Sequence, residues 1–328
     1  DIWKMSNRSN VEGGGIFSGT WPLLCFIFGS LCIPIALPWI IFQAVYKIQL
    51  KKQKADLRGK VVVITGASSG LGEALAHSFY KIGCQVVLAA RRKDELERVK
   101  SELMQSYSTV TTLPPMVLQL DLSDLKNISS KMNYVLDVFK HVDILINNGG
   151  MSYRGDIVTT DIDVDIKVML VNYFGTVALT KAILPSMISR KRGHIVCVSS
   201  VQGKLAIPYR SAYAASKHAM QAFSDSLRAE TSKEGIDVTV VSPGYIKTDL
   251  SVNAVTGSGA KYGVMDATTA AGYEPSTVAE IILNAVANKK KDVIISSLAP
   301  QFGILIRTLF PSLYFWIMKH KAKNNTQS

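Results

Sequence analysis

The stretch "KVVVITGASSGLGEALAHSFY", residues 60–80, combines two kinds of local pattern around a glycine-rich turn. Its first six residues are mostly apolar and β-branched, which is typical of a buried strand. A helix-length segment follows from Leu71. Glycine between them lets the backbone come close to a phosphate, and the start of a helix offers unpaired N–H groups. The stretch therefore predicts a strand, a phosphate-binding turn and a helix in succession.

Alternating strand and helix signals continue along the chain. Further β-branched runs occur at "CQVVLAA", "MVLQLD", "VDILIN", "HIVCVSS", "DVTVVS" and "DVIIS". Helix-length segments separate them, including residues 71–82, 94–106, 164–190 and 211–234. Continuous apolar strands that alternate with helices indicate a parallel sheet covered on both faces. We predict a single doubly wound α/β domain of the Rossmann type, with a seven-stranded parallel sheet, over residues 59–298.

The first 46 residues predict a membrane anchor. No charged residue occurs between positions 13 and 46, and residues 21–46 would span about 39 Å as a helix, against ~30 Å of bilayer hydrocarbon. Pro22, Pro34 and Pro38 would kink such a helix or turn it into a re-entrant hairpin. The run is too long for a cleaved signal peptide. We expect a single-pass signal-anchor at about residues 21–46, followed by a basic linker at residues 47–58.

The net charge of +12 is concentrated next to apolar segments. Residues 47–60 contribute +5 and residues 301–328 contribute +4, which leaves only +3 for residues 61–300. This distribution suits contact with anionic lipid headgroups and not a DNA-binding face, so we expect a membrane partner and no nucleic acid. The apolar and basic tail, residues 299–328, fits a helix lying on the bilayer or a helix covering the core.

Cysteine and histidine spacings give no sign of a metal or disulfide framework. Only four cysteines occur, and none forms a Cys-x-x-Cys pair. The five histidines are scattered without the spacing of metal ligands. We therefore expect no metal site.

A series of further motifs identifies a family. The turn "TGASSGLG" is followed by "DLSD", "NNGG", "NYFG", "YAASK" and "SPGYIKT", in that order, within residues 65–248. This order and spacing resemble the short-chain dehydrogenase/reductase family. The resemblance implies an oxidoreductase that uses a nicotinamide cofactor and acts on CH–OH donors.

The stretch "SAYAASKHAMQAF", residues 211–223, places Tyr213 and Lys217 on one face of a helix because residues i and i+4 lie one above the other. The family resemblance implies that Tyr213 is the general acid/base and Lys217 its partner. It also implies that Ser200 orients the substrate and that Asn172 completes the catalytic set. An ammonium beside a phenol, together with an oxidised nicotinamide, is expected to lower the tyrosine pKa from its usual value near ~10.

The end of the second strand bears on the choice of cofactor. In "VVLAARRKDE", Ala90 stands where an NAD site places an acidic residue, and Arg91 and Arg92 follow. Two guanidinium groups suit a 2′-phosphate. NADP(H) is therefore favoured, with NAD(H) as the alternative, while solvated arginines at a strand end remain the simple structural interpretation.

The resemblance also supplies a set of cofactor and substrate residues. Besides Arg91, Arg92, Tyr213 and Lys217, the expected cofactor-binding residues are Gly66, Ser68, Ser69, Gly70, Leu71, Gly72, Asp121, Leu122, Asn147, Gly149, Pro243, Gly244, Ile246 and Thr248. Gly149 stands where the family usually has alanine. Residues 249–273 occupy the position of the family's substrate loop, and Ser200, Tyr262 and Met265 are the expected substrate contacts.

Two functions from different classes remain open. The first is a membrane-anchored NADP(H)-dependent enzyme that interconverts a carbonyl and an alcohol on a lipid-like substrate of the steroid, retinoid, fatty-acyl or acyl-dihydroxyacetone phosphate class. The second is a cofactor-binding regulatory or scaffolding protein with little turnover. The complete set Asn172, Ser200, Tyr213 and Lys217 favours the enzyme, and a homodimer is compatible with either function.

The charges around the apolar run bear on membrane orientation. Six basic residues follow it within residues 47–60, whereas residues 1–20 carry no net charge. The positive-inside rule therefore predicts a catalytic domain on the cytosolic face of the endoplasmic reticulum membrane. The sequons that begin at Asn127 and Asn324 keep a lumenal domain open as the alternative.

Overall fold

The computed structural model describes residues 21–325, with side chains from residue 36 to residue 323. The expectations for residues 1–20 and 326–328, and for the side chains of residues 21–35 and Asn324, lie outside the described residues. The chain divides into two compact units, residues 1–52 and residues 53–328.

The described part of the first unit is a single long helix, α1 (Trp21–Ala55), which ends three residues inside the second unit. The helix is continuous across Pro22, Pro34 and Pro38, and it includes residues 47–55 of the expected basic linker, residues 47–58. Several of its large apolar side chains are more than half exposed, among them Trp39, Ile40 and Phe42.

The strands and helices of the second unit alternate as expected. The strands are β1 (Val61–Thr65), β2 (Gln85–Ala90), β3 (Met116–Gln119), β4 (Ile144–Asn147), β5 (Tyr153–Arg154), β6 (Gly193–Val198), β7 (Ile236–Pro243), β8 (Val255–Thr256) and β9 (Asp292–Ile295). The helices are α2 (Gly70–Lys81), α3 (Lys93–Ser106), α4 (Leu125–Phe139), α5 (Ile162–Met169), α6 (Gly175–Ser189), α7 (Ser211–Glu230), α8 (Ala267–Ala270), α9 (Pro275–Ala287), α10 (Leu298–Leu309) and α11 (Pro311–Asn325).

Seven strands form one parallel sheet in the order β3-β2-β1-β4-β6-β7-β9. The predicted fold class, a Rossmann-type domain with a seven-stranded parallel sheet, is therefore confirmed. The chain leaves β1 towards β2 on one side and later returns to place β4 on the other side. Such a reversal opens a crevice at the carboxyl ends of the strands, where α/β proteins bind their ligands.

Apolar side chains cover both faces of the sheet. One buried cluster joins the sheet to α2, α3 and α9, and it includes Leu75, Phe79 and Ile282. The other joins the sheet to α4, α6 and α7, and it includes Met132, Ile183 and Met220. Because the strands face apolar side chains on both sides, their sequences are continuous apolar runs and do not alternate.

The predicted helix over residues 164–190 is interrupted at its centre. Residues 162–189 form α5, a π-helical turn (Leu170–Phe174) and α6 in one continuous stretch. By length and composition this stretch could cross a membrane, and it alone among the described residues passes that test. However, Leu179, Ile183 and Met187 on its inner side are fully buried in the core. It therefore adds only weak support for a membrane span.

The expected substrate loop contains short regular elements. Strand β8 pairs in parallel with β5, with Tyr153 opposite Val255 and Arg154 opposite Thr256, and the short helix α8 follows. Both strands have only two residues, so their formation depends on long-range pairing and not on a local sequence pattern. This second, two-stranded sheet attaches the loop to the segment that follows β4.

Candidate active site

The glycine-rich turn lies between β1 and α2, at the reversal point of the sheet. Gly66 and Gly70 have φ angles of 68° and 58°, values that favour glycine. A Cβ atom on Gly72 would lie 2.1 Å from the carbonyl oxygen of Gly66, so a side chain there would collide with the backbone of the turn. No side chain caps the first turn of α2. Gly70, Leu71 and Gly72 at the start of this helix line the cavity, so their N–H groups are available to a phosphate there.

The two arginines at the end of β2 have different surroundings. The Arg92 guanidinium donates hydrogen bonds to the hydroxyl oxygens of Ser68 and Ser69, each at 3.1 Å. Both arginines are exposed and line the same cavity. Arg92 is therefore held against the glycine-rich turn and is not simply solvated at a strand end.

Asp121 follows β3 and lines this end of the cavity. Burial acts to raise its pKa, but hydrogen bonds from the Ser123 backbone and hydroxyl, with the positive charge of Arg91, leave the pKa below its usual value. The carboxylate is therefore ionised at neutral pH.

The "NNGG" segment after β4 packs directly on the glycine-rich turn. The Asn148 side-chain amide donates to the Thr65 carbonyl oxygen at 2.9 Å, and the Gly149 N–H donates to the Thr65 hydroxyl at 2.8 Å. Asn147 does not line the cavity, because its side chain turns towards α6 and donates to the Thr180 hydroxyl at 3.1 Å. A Cβ on Gly149 would lie 2.8 Å from Leu122 Cδ1, so the alanine common in the family would require Leu122 to move.

Tyr213 and Lys217 lie on α7 with the spacing that the sequence predicts. The Lys217 ammonium lies 5.7 Å from the centre of the Tyr213 ring and donates to the Val198 carbonyl oxygen at 2.9 Å. Only 8% of Tyr213 and 4% of Lys217 are exposed, although both side chains line the cavity. They are thus accessible from the cavity and shielded elsewhere.

Burial shifts the pKa values of both groups. It raises the pKa of the Tyr213 phenol, although a hydrogen bond with Ser200 and the charge of Arg154 act in the opposite direction. It lowers the pKa of Lys217 to about 8. The sequence led us to expect a lowered tyrosine pKa. In the protein alone the cost of placing a phenolate in a buried position exceeds the combined effect of the Ser200 hydrogen bond and the Arg154 charge.

Asn172 lies in the π-helical turn and is fully buried. Its side-chain oxygen accepts a hydrogen bond from the Met151 N–H at 2.8 Å, and its side-chain nitrogen donates to the Met151 carbonyl oxygen at 2.9 Å. The same nitrogen donates to the Ser216 hydroxyl at 2.9 Å. Asn172 therefore connects the segment after β4 to α7 beside Lys217.

Ser200 follows β6 and lines the same cavity as the glycine-rich turn. Its hydroxyl accepts a hydrogen bond from the Gln202 N–H at 3.1 Å and lies 3.5 Å from the Pro243 carbonyl oxygen, to which it donates. The cavity is also lined by four of the expected cofactor-binding residues, Pro243, Gly244, Ile246 and Thr248.

Tyr262 and Met265, the expected substrate contacts, do not line the cavity. The Tyr262 hydroxyl donates to Asp266 at 3.3 Å, and its ring lies under the Arg154 guanidinium. Met265 turns towards the Ser251 hydroxyl. Tyr262 and Met265 thus contact Arg154 and Ser251, which line the cavity, without lining it themselves.

Arg154 is a site residue that the sequence patterns did not reveal. It lines the cavity, and its Nε and one Nη donate to the same Asp266 oxygen at 2.9 Å and 2.5 Å. Arg210 reaches that oxygen at 3.5 Å. The only sequence signal for this residue is its position soon after the "NNGG" motif. The ion pair of Arg154 and Asp266 links β5 to the far end of the substrate loop.

These residues surround a cavity of about 1220 Å³. One end is formed by the glycine-rich turn and the ends of β2 and β3, and Tyr213, Lys217 and Ser200 lie along its wall. Helices α10 and α11 form part of the other end with apolar side chains such as Ile306, Ile317 and Met318. The sequence left the tail's position open, and the structure shows that it contributes to the cavity.

Three potential metal ligands come together outside this cavity. Oxygen or nitrogen atoms of Glu73, His77 and Glu102 lie within 4.8 Å of one another. However, the Arg98 guanidinium donates to both carboxylates, at 3.0 Å and 2.8 Å. A cation of the protein is thus already bound between the two carboxylates.

The fold and the cavity define a class of protein: a Rossmann-type oxidoreductase with a dinucleotide turn and a buried tyrosine-lysine pair. Residues 60–258 match the family model for short chain dehydrogenase. The chain belongs to this family, as the sequence motifs predict.

Full-length relatives and a solved structure agree with this assignment. The chain is 56% identical over 319 residues to the Dehydrogenase/reductase SDR family protein 7-like of Anopheles gambiae, covering 97% of this chain and 98% of that protein. It is 49% identical to the Dehydrogenase/reductase SDR family member 7B of Bos taurus, covering 92% and 94%. Alcohol dehydrogenase from Thermococcus sibiricus, solved with 5-hydroxy-NADP, superimposes with a TM-score of 0.62 at 25% identity, covering 73% and 96%.

Proposed function

We propose that this protein is a membrane-anchored NADP(H)-dependent oxidoreductase that interconverts a carbonyl and an alcohol on a lipid-like substrate. The observation that carries the proposal is the single cavity in which a dinucleotide turn, the Tyr213–Lys217 pair and an apolar end meet. The family is one of oxidoreductases, and the nicotinamide cofactor supplies or accepts the hydride when it is bound.

The described residues fit such a cofactor. The uncapped start of α2 and the positive φ angles of Gly66 and Gly70 suit a pyrophosphate, and Asp121 and Leu122 suit the adenosine end. Arg92, held by Ser68 and Ser69, and Arg91 suit a 2′-phosphate. NADP is therefore favoured, in agreement with the cofactor analogue in the Thermococcus sibiricus enzyme.

The chain's own side chains would then carry the proton and position the substrate. Tyr213 holds a proton on its phenol oxygen, and Ser200 donates a hydrogen bond to the substrate oxygen on which negative charge develops. Lys217 keeps a positive charge beside the phenol. Asn172 fixes the backbone of Met151 and thereby the wall of the cavity next to Lys217.

A panel of ketones tests this function, with cofactor oxidation followed on full-length protein in detergent. We expect apolar ketones to be reduced, with NADPH preferred to NADH. Replacing Arg91 and Arg92 together by alanine should weaken NADPH binding by at least roughly 10- to 100-fold, because the loss of even one charge-assisted hydrogen bond costs about 1.5–3 kcal/mol. NADH binding should change little.

Lys93→Ala is the matched control, because Lys93 is an exposed neighbouring cation outside the cavity. Equal weakening of both cofactors in the double variant would show that the arginines act through structure instead. NADPH binding without oxidation across the whole panel would favour the regulatory or scaffolding function.

We also propose that the N-terminal apolar segment anchors the protein in the endoplasmic reticulum membrane with the catalytic domain in the cytosol. The exposed apolar side chains of α1 support the anchor, and the basic residues that follow them support this orientation. Protease added to sealed microsomes should therefore digest the domain. Survival of the domain, or a glycan on the exposed Asn127, would contradict the proposed orientation.

A further inference from the structure

The outer surface of α10 and α11 is unusually apolar. Leu298, Leu305 and Leu309 of α10 are 69%, 51% and 58% exposed, and their spacing places them on one face of the helix, beside Phe302, which is 57% exposed and also borders the cavity. On the neighbouring helix, Phe315 and Trp316 are 55% and 59% exposed, and Phe310 between the two helices is 61% exposed. Soluble surfaces rarely display so many large apolar side chains together.

The inner surface of the same helices faces the cavity. Ala299, Gly303 and Ile306 of α10 line it, and they also follow helical spacing. Tyr314, Ile317 and Met318 of α11 line it in the same way. The two helices are thus a single layer of protein between the cavity and the exposed apolar face.

A few specific contacts attach this layer to the rest of the domain. Tyr314 is buried, and its hydroxyl donates to the Ala206 carbonyl oxygen. The Tyr209 hydroxyl donates to the Ala322 carbonyl oxygen at 3.3 Å. A Cβ on Gly303 would lie 3.2 Å from Leu205, which shows how closely α10 approaches this segment. The attachment leaves the outer face uncovered.

The charge of the helix pair indicates what covers that face. Residues 298–325 contain Arg307, Lys319, Lys321 and Lys323 and no acidic residue. The Arg307 guanidinium lies 5.0 Å from the centre of the Phe315 ring. A second copy of the chain would bring two such basic surfaces together, which like-charge repulsion opposes. An anionic bilayer offers an apolar interior and negative headgroups, and it matches both properties.

We propose that the outer face of α10 and α11 docks on an anionic lipid bilayer and that apolar substrate enters the cavity from the bilayer through this helix pair. The docking surface is independent of the catalytic assignment, whereas the entry route rests on the proposed function. A substrate taken up in this way passes from lipid to the tyrosine without crossing water.

Tryptophan fluorescence tests the docking directly. Full-length protein is reconstituted into vesicles of phosphatidylcholine and phosphatidylserine that carry bromine on the acyl chains, and the Trp316 contribution is obtained by subtracting the signal of Trp316→Phe. We expect bromolipid to quench this contribution. An unquenched Trp316 would overturn the proposal, and shielding that instead grows with protein concentration would indicate a second copy on this face.

Activity measurements test the entry route. The double variant Leu305→Asp/Leu309→Asp changes two exposed positions outside the cavity lining, and Val158→Asp, at a position 93% exposed elsewhere, is its control. We expect kcat/KM for a long-chain alkyl ketone held in the vesicles to fall at least tenfold in the double variant only. For a short water-soluble ketone it should remain unchanged in both variants.

Equal kcat/KM of the double variant and wild type on the vesicle-borne ketone would overturn the entry route. Failure of the wild-type protein to reduce either ketone would instead count against the proposed function, because the quenching result does not depend on turnover. Circular dichroism confirms that each variant is folded.

Discussion

Replacing Tyr213 by phenylalanine is expected to lower kcat for ketone reduction by about a thousandfold or more while NADPH binding remains nearly intact. The substitution removes one hydroxyl, which is the proposed proton donor, and leaves the ring in its buried position. Single-turnover kinetics and a cofactor titration measure the two effects separately. A variant that kept more than about a tenth of wild-type kcat, a barrier change below ~1.4 kcal/mol, would show that another group supplies the proton.

Tyr153→Phe is the matched control. Tyr153 belongs to the same buried cluster as Tyr213, and its hydroxyl donates to the Asp156 carbonyl oxygen at 3.2 Å and also contacts Thr160. It does not line the cavity. Loss of this hydroxyl is expected to reduce stability by about 1–2 kcal/mol and to leave kcat close to that of the wild type.

The role of Tyr213 as proton donor determines how the rates of reduction and oxidation depend on pH. Burial raises the pKa of Tyr213, so the phenol keeps its proton throughout the neutral range. Ketone reduction requires that proton. Because Tyr213 stays protonated near neutral pH, its ionisation should not lower kcat/KM for reduction there. Alcohol oxidation requires the phenolate and should become faster as the pH rises.

Replacing Lys217 by methionine is expected to damage both turnover and cofactor binding. The substitution removes the positive charge 5.7 Å from the Tyr213 ring and the hydrogen bond to the Val198 carbonyl oxygen. We expect kcat to fall by roughly a hundredfold or more and the NADPH dissociation constant to rise as well. Steady-state kinetics measures the change in kcat, and equilibrium titration measures the change in the NADPH dissociation constant.

The pH profile of the lysine variant gives a second readout. Because burial lowers the pKa of Lys217 to about 8, the free wild-type protein loses this charge as the pH rises through about 8. The wild-type profile of kcat/KM should therefore contain an ionisation near that pH, and the Lys217→Met profile should lack it. His218→Ala, an exposed neighbour on α7, should keep the wild-type profile. An unchanged profile in Lys217→Met would contradict the role of this charge.

The elements that could be predicted from sequence are those with a strong local pattern. The seven strands of the main sheet are continuous apolar runs, and the residues of α2 and α3 were predicted to within one or two positions at each end. Helix α7 ends at Glu230, four residues earlier than expected. At that end the Thr231 hydroxyl donates a hydrogen bond to the Leu227 carbonyl oxygen. Local sequence determines where such elements begin better than where they end.

Features that depend on distant contacts were not visible in the sequence. Strands β5 and β8 have two residues each and exist only as a pair. Arg154 gains its place from Asp266, more than a hundred positions away along the chain. Tyr262 was expected at the cavity because of its position in the loop, whereas its hydroxyl is used by the same Asp266. None of these contacts has a local pattern.

The π-helical turn at Leu170–Phe174 places a constraint on the length of the chain. A π turn holds one residue more than an α turn, so the stretch from α5 to α6 behaves as a regular helix with one inserted residue. Deleting any residue of the turn would restore an α-helix and rotate α5 relative to α6 by about 100°. If Asn172 then kept its contacts with Met151, Leu179 would lose its place in the core. If Leu179 stayed in the core, Asn172 would lose its contacts with Met151. We therefore expect that the fold does not tolerate single-residue deletions in this turn, whereas it tolerates them in the exposed connection between α3 and β3.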